Sequence, residues 1–171
     1  MPRFLAIAFV AALLPGALVG GGKKAADLTI SFHLQAEPGS RQVFKQLTAG
    51  KEVFFNKSAE ITTKDVQAYR PFPSEDGQSY GVVFQLNKVA AGRLRSLSTA
   101  QQGKLLLAVV NGQVRDAVVI DKPVADGLIV VWKWISLAEI KLADQHIPRI
   151  GEDMATWKKR LKEENKKSKR K

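Results

Sequence analysis

The feature that most constrains the fold is a pair of apolar segments joined by Asn111-Gly112. The first segment covers residues 104–110 and the second covers residues 114–120. Asn-Gly is a strong signal for a two-residue β-hairpin, because both turn positions need positive φ, which these residues tolerate best. The runs LLLAVV and AVVI are too apolar for a sheet with one wet face. The hairpin is therefore predicted to lie centrally in a sheet, with helices covering at least one side.

Alternating apolar and polar residues predict another strand at residues 28–35. The same pattern places His33 on the solvent side of that strand. The segments YGVVFQL (residues 80–86) and LIVVWKW (residues 128–134) predict two more strands. The residues expected to face the core from the first strand are Leu28, Ile30, Phe32 and Leu34.

Helix signals separate and follow these strands. Asn87 is a candidate N-cap for a helix to residue 97, whose predicted apolar face is Val89, Leu94 and Leu97. Ser136 and Glu139 form a capping-box pattern for a helix to about His146. The same spacing at Thr62 and Asp65 predicts a short helical turn. Met154, Trp157 and Leu161 are spaced for a last amphipathic helix. The predicted class is α+β, with a mainly antiparallel sheet and helices on one face.

Residues 1–22 have the order of a secretory signal: a basic start at Arg3, an apolar stretch at residues 4–14, then Pro15-Gly16 and small residues. An uncleaved membrane anchor is the alternative interpretation. The chain contains no cysteine, so neither disulfides nor thiolate metal ligation is expected. These observations predict an exported protein of the bacterial periplasm or cell envelope, free or tethered by its N-terminal segment.

The net charge of +11 is concentrated at one end of the chain. Residues 158–171 contain nine lysines and arginines against two glutamates, whereas residues 22–157 carry a net charge of only +3. We therefore expect a folded domain at residues 23–150, then an amphipathic helix and a basic, disordered tail at residues 151–171. A solvated end is the simplest interpretation of the tail. An anionic membrane surface is the alternative, and export disfavours nucleic acid as a partner.

The sequence offers few groups for catalysis. Its two histidines, His33 and His146, are far apart, and no serine lies in a G-x-S-x-G motif. A carboxylate pair is conceivable at Asp121 and Asp126, although both residues also fit turn roles. No catalytic, cofactor-binding or metal-binding residue is predicted.

Trp132 and Trp134 alternate with Lys133, so both rings are expected on one side of a strand. They form either an apolar surface for a partner or a face covered by a helix.

The order of these signals resembles the periplasmic head of the protein-export subunit SecD, also found in fused SecDF. The resemblance covers about residues 61–146. Its motifs are Thr62-Thr-Lys-Asp65-Val66, Val83-Phe-Gln-Leu-Asn87, the hairpin from Gly103 to Val114, and Ser136-Leu-Ala-Glu139. Two positions depart from the family: Val118 replaces a proline, and Lys133-Trp134 replaces a glycine.

The resemblance implies a non-enzymatic module that contacts polypeptides emerging from a translocon, or another envelope component. SecD proteins use transmembrane helices for proton coupling, so a head without them is not expected to act as a pump. The candidate partner-contact residues are Asn111, Arg115, Trp132 and Trp134. Two alternatives remain open: a small secreted hydrolase with a site not visible in linear order, and a binder of anionic lipid or nucleic acid through the basic tail.

Overall fold

The computed structural model describes residues 27–75 and 77–168, except for the side chains of residues 134, 167 and 168. The predicted signal segment at residues 1–22 and the end of the basic tail lie outside the described residues. The strands are β1 Ile30–Leu34, β2 Val43–Thr48, β3 Lys51–Asn56, β4 Ile61–Thr62, β5 Val66–Pro73, β6 Tyr80–Leu86, β7 Leu105–Val110, β8 Gln113–Val119 and β9 Leu128–Ile135. The helices are α1 Lys88–Ala100, α2 Leu137–His146 and α3 Met154–Ser168.

The strands form two sheets and a separate hairpin. One sheet has the order β4-β1-β7-β8, the other has the order β5-β6-β9, and β2 pairs with β3. The neighbouring strands of each sheet run antiparallel. The predicted α+β class with mainly antiparallel pairing is confirmed.

The main core is built from the inward residues of both sheets and from α1 and α2. Leu28, Ile30, Phe32 and Leu34 are all buried, as the alternation at residues 28–35 predicts. The ring of Phe32 is 1% exposed and packs edge-on against Phe84, with ring centroids 6.0 Å apart. The two sheets therefore share one core.

Three of the predicted caps are present. The side chain of Asn87 accepts a hydrogen bond from Ala90 N at 2.9 Å at the start of α1. Ser136 and Glu139 form the reciprocal capping box of α2, and Thr62 and Asp65 form the same arrangement at a 3₁₀ turn. Each cap pairs backbone N–H groups that the first turn would otherwise leave without partners.

The structure corrects the predicted position of the 104–120 segments. Val110 pairs with Gln113, and Asn111 and Gly112 between them have φ of 50° and 74°. Strand β7 lies inside its sheet, but β8 is the edge strand, and Val119 is 53% exposed. The second apolar run is therefore not central, and its side chains are available to line a surface.

One further expectation fails because the structure depends on contacts distant in sequence. Val89, predicted on the apolar face of α1, is 72% exposed, since the buried side of the helix passes through Ala90 and Leu94. Strand β5 contains Pro71 and Pro73, which lack the backbone N–H that a central strand needs. Both prolines are tolerated because β5 is an edge strand.

His33 does not point into open solvent. Its Nδ1 lies 2.9 Å from the carbonyl oxygen of Asn56, and its ring packs edge-on against Phe44. The β2–β3 hairpin packs against this side of β1, so His33 is half-buried and not fully exposed as the alternation predicted. Its ring serves packing and hydrogen bonding.

Candidate functional site

The four candidate contact residues have different roles in the structure. The Asn111 side chain accepts a hydrogen bond from Thr29 N at 3.1 Å, so it fastens the turn to the segment before β1. Arg115 forms an ion pair with Glu139, the capping residue of α2, and both side chains are largely buried. Trp132 is 59% exposed. The backbone of Trp134 lies in β9, and its side chain lies outside the described part of the chain.

The exposed ring of Trp132 belongs to a groove between β8 and β9. The groove has a volume of about 600 Å³. Val118 and Val119 line it from β8, whereas Val130 and Trp132 line it from β9. Leu94 of α1 and Leu106 of β7 also line it, and the loop at residues 121–126 lies at one end. We call this site the β8–β9 groove.

Among residues 27–75 and 77–168, no helix covers the ring of Trp132, although a covering helix was one of the two interpretations of this position from the sequence. Its ring instead packs edge-on against Phe72 of β5, with centroids 6.1 Å apart. This contact holds the ring in place while leaving much of it accessible. A large, accessible and fixed aromatic ring is typical of a binding surface.

Asp116 joins the two edges at one end of the groove. Its Oδ1 accepts a hydrogen bond from Ala117 N at 2.9 Å, and its Oδ2 accepts one from Trp132 N at 3.0 Å. One carboxylate therefore bonds to the outer edge of β8 and to the outer edge of β9. Nothing local in the sequence indicates this bridge.

Beyond Asp116 the two strand edges are not paired with each other. Ile120 exchanges backbone hydrogen bonds with residues 103 and 104. Because successive residues of a strand direct their N–H and C=O groups to opposite edges, Val119 turns these groups away from β7. Gly127 accepts a hydrogen bond from Leu86 N, so Val130 likewise turns its N–H and C=O away from β6. Within the described residues, β8 and β9 belong to different sheets. Both edges consequently turn backbone groups away from their own sheets, and no hydrogen bond within the described residues pairs those of Val119 and Val130.

Two of the polar side chains in the groove, Ser98 and Asp126, are already used by the fold. Ser98 donates to the carbonyl oxygen of Arg95 at 3.1 Å and accepts from Val124 N at 2.8 Å. Asp126 accepts a hydrogen bond from Leu128 N at 3.0 Å, and both Asp121 and Asp126 are exposed. The lining is otherwise mainly apolar, which suits an apolar or backbone-presenting ligand.

A second cluster of charged groups fixes α3 to the domain. Arg149 donates two hydrogen bonds of 2.9 Å to the carboxylate of Asp144. Arg160 of α3 donates two more of 2.9 Å to Glu152 and lies 3.2 Å from Asp144. Trp157 Nε1 donates to the carbonyl oxygen of Asp144 at 3.0 Å. The first turns of α3 are therefore firmly attached.

The charges in this cluster shift the acidities of its members. Burial would raise the pKa of Asp144, but the hydrogen bonds from Arg149 and the nearby Arg160 hold it below its ordinary value. The hydrogen bonds from Arg160 lower the pKa of Glu152. Both groups are therefore carboxylates at neutral pH, and the cluster has a structural role.

Among residues 27–75 and 77–168, no group of histidine and acidic side chains is arranged to hold a metal ion. No helix in this part of the chain is long and apolar enough to cross a membrane.

Comparisons with known proteins give a match at the level of structure alone. No protein-family model matches the chain, and no curated protein matches it. A solved structure of SecDF, described as a membrane component that enhances protein export, superposes with a TM-score of 0.52 and 17% identity. This match covers 69% of the present chain and 62% of that SecDF chain.

A second match is the crystal structure of SecDF in a super-membrane-facing form, with a TM-score of 0.50 and 17% identity. It covers 67% of the present chain and 18% of the SecDF chain. The present chain therefore spans only part of the proteins it resembles. The resemblance drawn from the sequence motifs is matched by the fold, and this domain has a SecD-like fold.

Proposed function

We propose that this protein is an export-related module that binds extended polypeptide segments in the β8–β9 groove. The observation that supports this most is the groove itself, where two unpaired strand edges flank an apolar lining. An extended segment could donate and accept hydrogen bonds at Val119 and Val130 while its alternate side chains contact the lining. This is the general mode of strand addition to an exposed sheet edge.

The likeness to SecDF supplies the setting for the proposal. SecDF is described as a membrane component that enhances protein export. An extended, unfolded polypeptide exposes both its backbone groups and its apolar side chains, and these are the groups that the groove could bind. Trp132 fits the role of an anchor, because it is exposed yet held by Phe72. Of the four contact residues expected from the sequence, Trp132 is the one on which the proposal depends.

The binding test uses a fluorescein-labelled peptide of alternating valine and threonine and the anisotropy of its label. Val119→Glu places a charge in the apolar groove, and we expect it to weaken peptide binding at least about tenfold. Val89→Glu is the matched control, because Val89 is also exposed but lies on α1, outside the groove lining. Equal affinities for the two variants would refute the groove as the binding site.

A second peptide separates strand addition from simple apolar contact. The same sequence with alternate backbone nitrogens methylated keeps its side chains but cannot donate those hydrogen bonds. We expect it to bind much more weakly to the unaltered protein. Unchanged affinity would refute binding through the strand edges.

A further inference from the structure

Helix α3 presents two chemically different sides. Its inner side carries Trp157 and Arg160, which bond to Asp144 and Glu152 as described above. Glu164 also belongs to this side, since it lies 3.7 Å from Arg160. The arginine of α3 and one of its two glutamates are therefore engaged in ion pairs on the inner side.

The outer side consists largely of lysines. At about 100° per residue, Lys158, Lys159, Lys162 and Lys166 fall within an arc of about 100° on the side opposite Trp157 and Glu164. All four are exposed. No ion pair joins any of them to an acidic side chain within residues 27–75 and 77–168. We call these four residues the lysine ridge.

The ridge is a rigid surface, which differs from the disordered basic tail expected from the sequence. The helix continues to Ser168, and its first turns are fixed by the Asp144 cluster. The four lysines extend over about 12 Å along the helix axis. Their charges are therefore held together on one side of the domain.

We infer that the lysine ridge docks the domain on an anionic phospholipid bilayer. Lysine is a compact point charge without a fixed hydrogen-bonding geometry, which suits a fluid surface of lipid phosphates. Nucleic acid is a poorer fit, because its recognition commonly uses arginine forks and exposed aromatic rings. On α3 the arginine at position 160 and the ring of Trp157 both face inward, where they bond to Glu152 and Asp144.

The ridge also predicts how the docking behaves. The ridge carries no apolar side chain, so attraction to the bilayer is electrostatic and is screened by salt. Each lysine near an anionic surface strengthens binding roughly fivefold, so loss of all four should weaken binding by nearly three orders of magnitude, about 600-fold.

The experiment measures co-sedimentation of the full-length chain with lipid vesicles. One set of vesicles is phosphatidylcholine alone, and the other contains about one-third phosphatidylglycerol. The ridge variant replaces the four lysines with glutamine. The control variant makes the same replacement at four exposed lysines elsewhere, with the same change of charge: Lys51, Lys57, Lys64 and Lys88. Circular dichroism checks that both variants are folded.

The inference predicts that the control variant binds anionic vesicles as the unaltered chain does, that the ridge variant loses this binding, and that about 0.5 M salt abolishes it. Equal binding of anionic vesicles by the two variants would overturn the inference, because binding would then depend on the general charge of the chain or on the apolar stretch at residues 4–14. Ridge-dependent binding to a labelled DNA or RNA duplex, without binding to anionic vesicles, would also overturn it.

Discussion

Replacing Asp116 with alanine should separate the edges of β8 and β9 at the closed end of the groove. The carboxylate accepts hydrogen bonds from Ala117 N and Trp132 N, at 2.9 and 3.0 Å. A hydrogen bond to a charged acceptor contributes about 1.5–3 kcal/mol when buried, and less where water can replace it. Because Asp116 is half-buried, we expect the two bonds together to contribute about 2 kcal/mol to the free energy of unfolding.

Thermal unfolding measures this loss, which corresponds to a fall in Tm of about 4–8 °C for a domain of this size. Asp116→Asn keeps one acceptor oxygen and should lose about half as much. Asp121→Ala is the matched control, because Asp121 is exposed in the adjacent loop and no hydrogen bond joins its side chain to the described residues.

Amide hydrogen exchange gives the second readout of the Asp116 variant. The N–H groups of Ala117 and Trp132 should exchange faster once the carboxylate is gone, while those within the β6–β9 ladder should not change. Equal Tm values for Asp116→Ala and Asp121→Ala, or unchanged exchange at Ala117 and Trp132, would refute the bridging role.

Three other predictions test the core, a cap and the attachment of α3. Phe32→Ala removes a buried ring from its contact with Phe84 and should lower the free energy of unfolding in urea by about 3–5 kcal/mol; a loss below about 1 kcal/mol would contradict the shared core. Ser136→Ala removes the cap of α2 and should cost about 1 kcal/mol in the same assay, whereas Ser136→Thr should retain most of it. The pKa values of Asp144 and Glu152 are lowered in the folded state, from ordinary values of 3.8 and 4.5. The two carboxylates therefore stabilise the folded protein at pH values above these ordinary values, and this stabilisation is lost as the pH falls through the lowered values. Tryptophan fluorescence should therefore report release of α3 in acid, and an α3 still docked at about pH 2 would show that these carboxylates do not hold it.

Local sequence signals predicted the parts of the fold that depend on neighbouring residues. The alternation at residues 28–35 identified the inward side of β1, because a strand places alternate side chains on opposite faces. The caps at Asn87 and Ser136 were predictable because the bonds join residues three apart. The α+β class follows from the order of such elements.

The groove could not be predicted in the same way, because it depends on which strands are left without partners. The apolar run in β8 was interpreted as a buried central strand, whereas β8 is an edge. The Asp116 bridge joins residues sixteen positions apart across two sheets. An apolar run that exceeds what an edge strand needs, together with the alternation of Trp132 and Trp134, is the signal in the sequence that indicates a docking surface.

The attachment of α3 was also beyond the reach of local patterns. The spacing of Met154, Trp157 and Leu161 predicted the helix, but Met154 is 52% exposed. Arg160 was counted with the basic tail, although it pairs with Glu152 and Asp144. The basic segment that begins at residue 158 therefore has two sides in the structure: Arg160 attaches α3 to the domain, and the lysine ridge faces outward.

The most direct test of the proposed function is amide hydrogen exchange at Val119 and Val130 with and without saturating valine–threonine peptide. If an extended segment adds to the strand edges, both amides become protected when the peptide binds, and the exposed amides at the tip of the β2–β3 hairpin do not. If the peptide binds while exchange at Val119 and Val130 is unchanged, the groove does not receive polypeptide by strand addition.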